Sequence, residues 1–280
     1  KDSVMTVNVQ NITYGGVEHI IVNVNAPGNV TIRVNGTERT IVLKDGDGGK
    51  DILRAIVGAI QNYDVKATLD VYNLNVGKYP VEVIYNGAEN YNRATANAVF
   101  YVTKDNSTLS VDVEDIRVDG KEIINVTLSN KNATGNVIIN VDGVNYTRPI
   151  INGTANLTLD KLTNGTHSVV VIYEGDGNFA GNWTSATFNV TKLTSQITVH
   201  VDNTTVGKTA LITVDIPENA TGFVVIDVDG TKYHVDIIKG QQNVTLEIDN
   251  LVNKTYQVAA EYSGDGFYYS TDAKSSFNEI

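Results

Sequence analysis

Sixteen asparagines stand two residues before a threonine: Asn11, Asn29, Asn35, Asn106, Asn125, Asn132, Asn145, Asn152, Asn156, Asn164, Asn182, Asn189, Asn203, Asn219, Asn243 and Asn253. Asn-x-Thr is the acceptor sequence for sugar transfer to an asparagine amide, a modification of secreted chains. An alternating strand would produce the same spacing, since residues i and i+2 share a face. That explanation requires the reversed order, Thr-x-Asn, to be as common. Chance pairing of 32 Asn and 30 Thr over 280 residues gives about 3.4 of either order. Thr-x-Asn begins at Thr6, Thr95, Thr134, Thr154 and Thr187 only. Strand alternation accounts for that number and leaves the Asn-x-Thr excess, so N-glycosylation is the chemistry these residues point to.

Other chemistry finds little support. The chain has no cysteine, which excludes disulfides, thiolate metal sites and cysteine nucleophiles. His19, His167, His200 and His234 are scattered without a common cluster, and no Ser or Thr has a nucleophile's setting. Asp45, Asp47 and Asp51 occupy positions 1, 3 and 7 of a calcium loop. Lys50 stands where that loop needs Gly, and Ile56 where it needs a bidentate Glu. Asp227 and Asp229 read as a solvated strand face. No Lys on an inward position pairs with a terminal-strand Asn in every copy, as an amide crosslink would need. No catalytic, cofactor-binding or metal residue is assigned, and the chain is not expected to be an enzyme.

The elements that carry these residues follow from composition. Val, Ile, Thr and Tyr suit a pleated surface and Asn and Gly suit turns; with only 4 Pro among 280 residues, an ordered all-β protein follows. The net charge of -11 argues against nucleic acid or an anionic membrane as partner. No window approaches the roughly 20 apolar residues of a membrane-spanning helix. The chain opens Lys1-Asp2-Ser3, without initiator Met or apolar leader, as a piece of something longer would.

Internal repetition sets the organisation. Ile84-Tyr85-Asn86-Gly87-Ala88-Glu89-Asn90-Tyr91 recurs as Ile172-Tyr173-Glu174-Gly175-Asp176-Gly177-Asn178-Phe179. It returns as Glu261-Tyr262-Ser263-Gly264-Asp265-Gly266-Phe267-Tyr268. Val102-Thr103-Lys104 recurs as Val190-Thr191-Lys192 and marks the seams. Three copies follow, 1–103, 104–191 and 192–280. In the second, alternating segments run 108–116, 122–128, 136–141, 144–150, 155–159, 167–173 and 186–190. Seven short strands in about 90 residues indicate a two-sheet sandwich. Leu74-x-x-Gly77-x-Tyr79-x-Val81 and Leu251-x-x-Lys254-x-Tyr256-x-Val258 have the layout of a tyrosine corner, which makes the sandwich immunoglobulin-like. His167 replaces that tyrosine in the second copy and puts the corner bond in question there.

This Leu-x-x-Gly-x-Tyr-x-Val … Tyr-x-Gly-Asp-x-Asn-Tyr pattern, in a cysteine-free, Asn/Thr-rich array, resembles the Ig-like repeats of archaeal adhesin-like proteins. Those are surface proteins of host-associated methanogens, similar to bacterial Ig-like repeats. The resemblance covers nearly the whole chain. It implies an extracellular, cell-surface address and a stalk or adhesive role, with a glycan or protein on a host or partner cell as partner.

One departure remains. The separation from the turn glycine (Gly36, Gly143, Gly230) to the leucine before the corner (Leu74, Leu162, Leu251) is 38, 19 and 21 residues. The first copy therefore carries an insertion. Within it Ile52, Leu53, Ile56, Val57, Ile60 and Tyr63 follow helical spacing, which predicts a helix over about 46–64. Residues 36–105 hold no sequon, so Arg54, Gln61, Asn62 and Tyr63 are the candidate contact surface. The expected fold is three tandem Ig-like sandwiches, the first with an inserted α-helix. The expected role is non-enzymatic spacing in cell attachment, or else recognition of a glycan or protein by the first copy and its helix.

Overall fold

The structure is a computed structural model and describes residues 1–44 and 65–280. Every described element is a strand. In the first copy these are β1 (Met5–Asn8), β2 (Ile12–Thr13), β3 (Glu18–Val24), β4 (Gly28–Val34), β5 (Thr37–Leu43), β6 (Val65–Val71), β7 (Gly77–Tyr85) and β8 (Ala94–Thr103). The second copy contributes β9 (Asp105–Asn106), β10 (Leu109–Asp112), β11 (Ile116–Arg117), β12 (Lys121–Leu128), β13 (Asn136–Val141), β14 (Val144–Pro149), β15 (Thr154–Asp160), β16 (Gly165–Gly175) and β17 (Phe179–Thr191). The third has β18 (Thr198–Val201), β19 (Ala210–Asp215), β20 (Phe223–Val228), β21 (Thr231–Asp236), β22 (Asn243–Ile248), β23 (Lys254–Tyr262) and β24 (Thr271–Glu279).

The same pair of sheets is built three times. One has three strands: β1-β3-β6, β10-β12-β15 and β18-β19-β22. The other is larger: β2-β8-β7-β4-β5, β11-β17-β16-β13-β14 and β21-β20-β23-β24. Period-two burial, as in β12 with every second residue inward, gives each sheet one apolar face. Facing pairs of sheets enclose three separate cores. Ile20, Ile32 and Tyr85 lie in the first, Ile124, Ile139 and Tyr173 in the second, Ile212, Ile226 and Tyr262 in the third. Each of these side chains is essentially solvent-free and contributes about 1.5–3 kcal/mol by its burial.

Two local devices fix the register. The hairpins β4–β5, β13–β14 and β20–β21 turn through Asn35-Gly36, Asp142-Gly143 and Asp229-Gly230, all at positive φ. A two-residue turn with both φ positive matches the twist of its strands, and Asn, Asp and Gly tolerate it best. The first strand of each copy also leaves the small sheet and crosses to the large one, where β2 and β11 pair in parallel with β8 and β17. Thr204 makes the equivalent bridge to Glu279.

The strand plan read from the second copy differs here in two places. Residues 108–116 form not one strand but β10, a crossing at 113–115 and the start of β11. The last strand begins at Phe179 rather than Ala186, because Gly181-Asn182-Trp183 breaks the alternation a reader looks for. Gly181 is needed there: a Cβ would meet the Glu174 carbonyl at 2.8 Å.

The fold class carries a correction. Among the described residues there is no helix, so the described architecture is all-β sandwiches and does not include the inserted α-helix that the spacing suggested. The segment 46–64 and its candidate contact residues Arg54, Gln61, Asn62 and Tyr63 lie outside the described residues. The physical weakness of the expectation is general. A short stretch with a 3.6-residue apolar period holds a helix only where a packed partner covers its apolar face.

Candidate functional site

Four features recur with the repeat, and the first is the corner before the long strand. In the first sandwich the Tyr79 hydroxyl donates to the Asn75 carbonyl at 2.8 Å; in the third the Tyr256 hydroxyl accepts the Val252 N–H at 2.9 Å. Both rings stack on the next strand's phenylalanine, Tyr79 on Phe100 and Tyr256 on Phe277. His167 takes this place in the second sandwich. It stacks on Phe188 and its Nε2 lies 2.8 Å from the Thr163 carbonyl, four residues back as in the other corners. Its Nδ1 lies 2.5 Å from the Asp142 carboxylate. Both ring nitrogens face acceptors, so the ring satisfies both only as imidazolium. Burial alone would lower its pKa, but the Thr163 carbonyl and the Asp142 carboxylate together outweigh burial and raise it. The other three histidines also sit against aspartates, at 2.6 to 3.0 Å, as exposed surface pairs.

The second feature is the Gly-Asp loop. Asp176 Oδ2 accepts both the Thr134 N–H and its hydroxyl at 2.8 Å, and Oδ1 accepts the Asn178 and Phe179 N–H groups. Burial would raise its pKa, but these four donors hold it down at about 2. The neighbouring Tyr173 hydroxyl is pushed up to about 12, first by burial and then by the Asp176 charge. Asp265 repeats the loop with Thr221, Phe267 and Tyr268. The first sandwich has Ala88 at this position and Pro27 in place of the threonine, and there the Tyr85 hydroxyl donates to the Pro27 carbonyl at 2.6 Å.

The third feature is the seam. Between β8 and β9 stands one residue, Lys104, and the Asp105 N–H already bonds the Asn178 carbonyl of the second sandwich at 3.0 Å. Leu193 repeats this, donating its N–H to the Phe267 carbonyl at 2.7 Å. Asn178 also reaches back: its Oδ1 accepts the Val76 N–H at 3.2 Å, and Tyr14 packs edge-on against Phe179 at 5.3 Å.

The fourth is the set of sequons. All sixteen asparagines are exposed. Five of the described asparagines outside sequons, Asn23, Asn25, Asn130, Asn140 and Asn178, are only half-exposed. Several sequons have structural work besides. Asn35, Asn152 and Asn219 are turn residues at positive φ, and the threonines of 132–134 and 219–221 are the ones that bond Asp176 and Asp265. Asn11 and Asn203 lock the crossing strand by accepting the Tyr101 and Asn278 N–H groups, each at 2.8 Å; Asp115 does this in the second sandwich. Asn182 is tied on both sides, Nδ2 to the Ser107 carbonyl and Oδ1 to the Trp183 N–H.

Sequence reasoning missed the roles of Asp142, Asp176 and Asp265, although the Gly-Asp repeat was visible. Asp227 and Asp229 do not share a face: Asp227 caps the Gly230 N–H, while Asp229 turns to the Gln257 N–H and Lys254. Among the described residues no group of His, Asp or Glu is placed to hold a metal ion, and no helix is long and apolar enough to cross a membrane.

No curated protein matches the chain. Solved structures similar to it include an I-band fragment of titin, at 13% identity and a TM-score of 0.36 over 99% of this chain and 98% of that one. The titin domains z1z2, solved with telethonin, give 13% identity and a TM-score of 0.39 over 64% of this chain and 98% of that one. The fibronectin(III)-like modules of Clostridium thermocellum CbhA give 14% and 0.27 over 67% and 94%. Residues 116–191 match the family model described as Bacterial Ig-like domain (group 3). The second sandwich is similar to the bacterial Ig-like domains, and its pair of sheets is built three times along the chain.

Proposed function

We propose that this chain is a non-enzymatic, extracellular spacer: a stalk segment of an adhesin-like surface protein, divided at 103/104 and 191/192. The observation that carries the reading is the one-residue seam. A linker of Gly and Ser lets domains wander, whereas a single residue between two paired strands does not. Asn178 and Tyr14–Phe179 stiffen the first seam further. The outward sequons support the extracellular address, and sugars there would also keep strand edges of neighbouring molecules apart. The archaeal adhesin-like resemblance belongs to the same proposal.

Small-angle scattering on the whole chain tests the spacer. A rod of three sandwiches, each about as long as a 13-residue strand at roughly 3.3 Å per residue, extends to about 130 Å. A maximum dimension near that value, unchanged by ionic strength, is expected; a compact particle would refute the stalk. Glycopeptide mapping of the protein from its native source tests the address. Sugar is expected at asparagines whose amides make no hydrogen bond, such as Asn106, Asn156 and Asn243, and a wholly unmodified chain would remove that support.

A further inference from the structure

The outer face of the large sheet differs among the three sandwiches along one transverse row. In the first it runs Thr40–Thr31–Ile84–Thr95, with Thr31 and Ile84 covered. In the third it runs His234–Val225–Glu261–Asp272. In the second it runs Thr147–Ile138–Ile172–Trp183. Trp183 is the only tryptophan of the chain and is 67% exposed; Ile172 beside it is 39% exposed. Its indole N–H has no partner among the described residues, while the tied Asn182 amide fixes the backbone beneath it. The adjacent row, Asn145–Asn140–Val170–Ser185, is short and uncharged.

From this we infer that the outer face of the second sandwich is a platform for an uncharged saccharide, seated with a pyranose ring over Trp183. The C–H face of such a ring is apolar and weakly positive and matches the negative face of an indole. Its rim of hydroxyls finds the indole N–H, Ser185 and Asn140. Size favours a sugar over a protein. One tryptophan and one isoleucine offer about 300 Å², whereas a stable protein partner needs about 800 Å² on each side. One flanking row is uncharged and the other side carries only the negative Glu174, which repels an anion and favours a neutral ligand. This inference is independent of the spacer reading; Asn145 in the adjacent row and Asn182 beside Trp183 are sequon asparagines, so the platform is open on chains that carry no sugar at these two positions.

The test titrates the whole chain with cellohexaose, mannohexaose and chitohexaose and follows Trp183 emission, which reports this face alone. A saturable blue shift with at least one of them, at a Kd of about 1 mM or tighter, is expected. Trp183→Ala should then lose binding at least tenfold by calorimetry, with its urea midpoint unchanged, and Trp183→Phe should retain part of it. Absence of a shift and of heat with all three hexaoses overturns the inference. So does binding that survives Trp183→Ala, or concentration-dependent dimerisation that Trp183→Ala abolishes in place of sugar binding.

Discussion

The corner of the second sandwich and the corners of the first and third solve one packing problem with different chemistry. In each, an aromatic ring stacks on the next strand's phenylalanine and ties itself to the backbone four residues earlier. A phenol does this while neutral and needs no charged partner for its hydroxyl. An imidazole has a second nitrogen, which must also be satisfied once buried, and Asp142 satisfies it from the hairpin turn. The histidine ring thereby bonds the hairpin turn directly, whereas in the third sandwich Asp229 reaches the corner strand through the Gln257 N–H and Lys254. It also makes the fold sensitive to pH. The Gly-Asp loop draws a different division: there the second and third sandwiches share an aspartate network, and the first has the Tyr85–Pro27 bond in its place.

The largest break in this comparison is His167→Ala, which removes the ring from Phe188 and leaves Asp142 with only its Ser168 contacts. It should destabilise the second sandwich by about 3 kcal/mol. Hydrogen exchange resolved by peptide and followed against denaturant would show the loss there and leave 1–103 unchanged. Next comes Asp176→Ala. Four donors lose their acceptor, and about 2 kcal/mol should go from the second sandwich. The matching acid limb has a definite sign. The folded pKa of Asp176 is lowered to about 2. Its contribution is therefore present above the unfolded value near 4 and lost as pH falls toward 2. The first sandwich, with Ala88, should lack this limb.

A smaller effect appears on the alkaline side. His167 has a raised pKa, so its stabilisation is complete below the unfolded value near 6.5 and is lost as pH rises through the folded one. His167→Tyr should abolish that slope while keeping the stack, and a slope unaltered in the variant would mean another group titrates. The smallest is Tyr79→Phe, which deletes one hydrogen bond and should cost the first sandwich about 1 kcal/mol in urea unfolding.

Much of the fold was legible because its signals are local. Alternation showed the second copy's central strands, Asn-Gly and Asp-Gly marked the hairpins, and the spacing of Tyr85, Tyr173 and Tyr262 showed the threefold repetition. The long last strand and the crossing at 113–115 were not legible. Pairing with a neighbour, not alternation, makes Gly181-Asn182-Trp183 a strand. The His167 corner was legible as a substitution but not as a bond, since Asp142 is 25 residues away. The sequon excess mixes a modification signal with turn chemistry at Asn35 and Asn152 and with the Thr134 and Thr221 contacts, which counting cannot separate.

The sequence by itself determined that this chain is all-β, threefold repeated and closely joined, because side-chain period, turn residues and repeat spacing act over a few residues. Only the tertiary structure decided which aspartates gather several donors, that both ring nitrogens of His167 face acceptors, and that Trp183 stands exposed beside Ile172. Those properties depend on which strands lie side by side, and strand neighbours in these sandwiches are set by contacts between residues far apart in the chain.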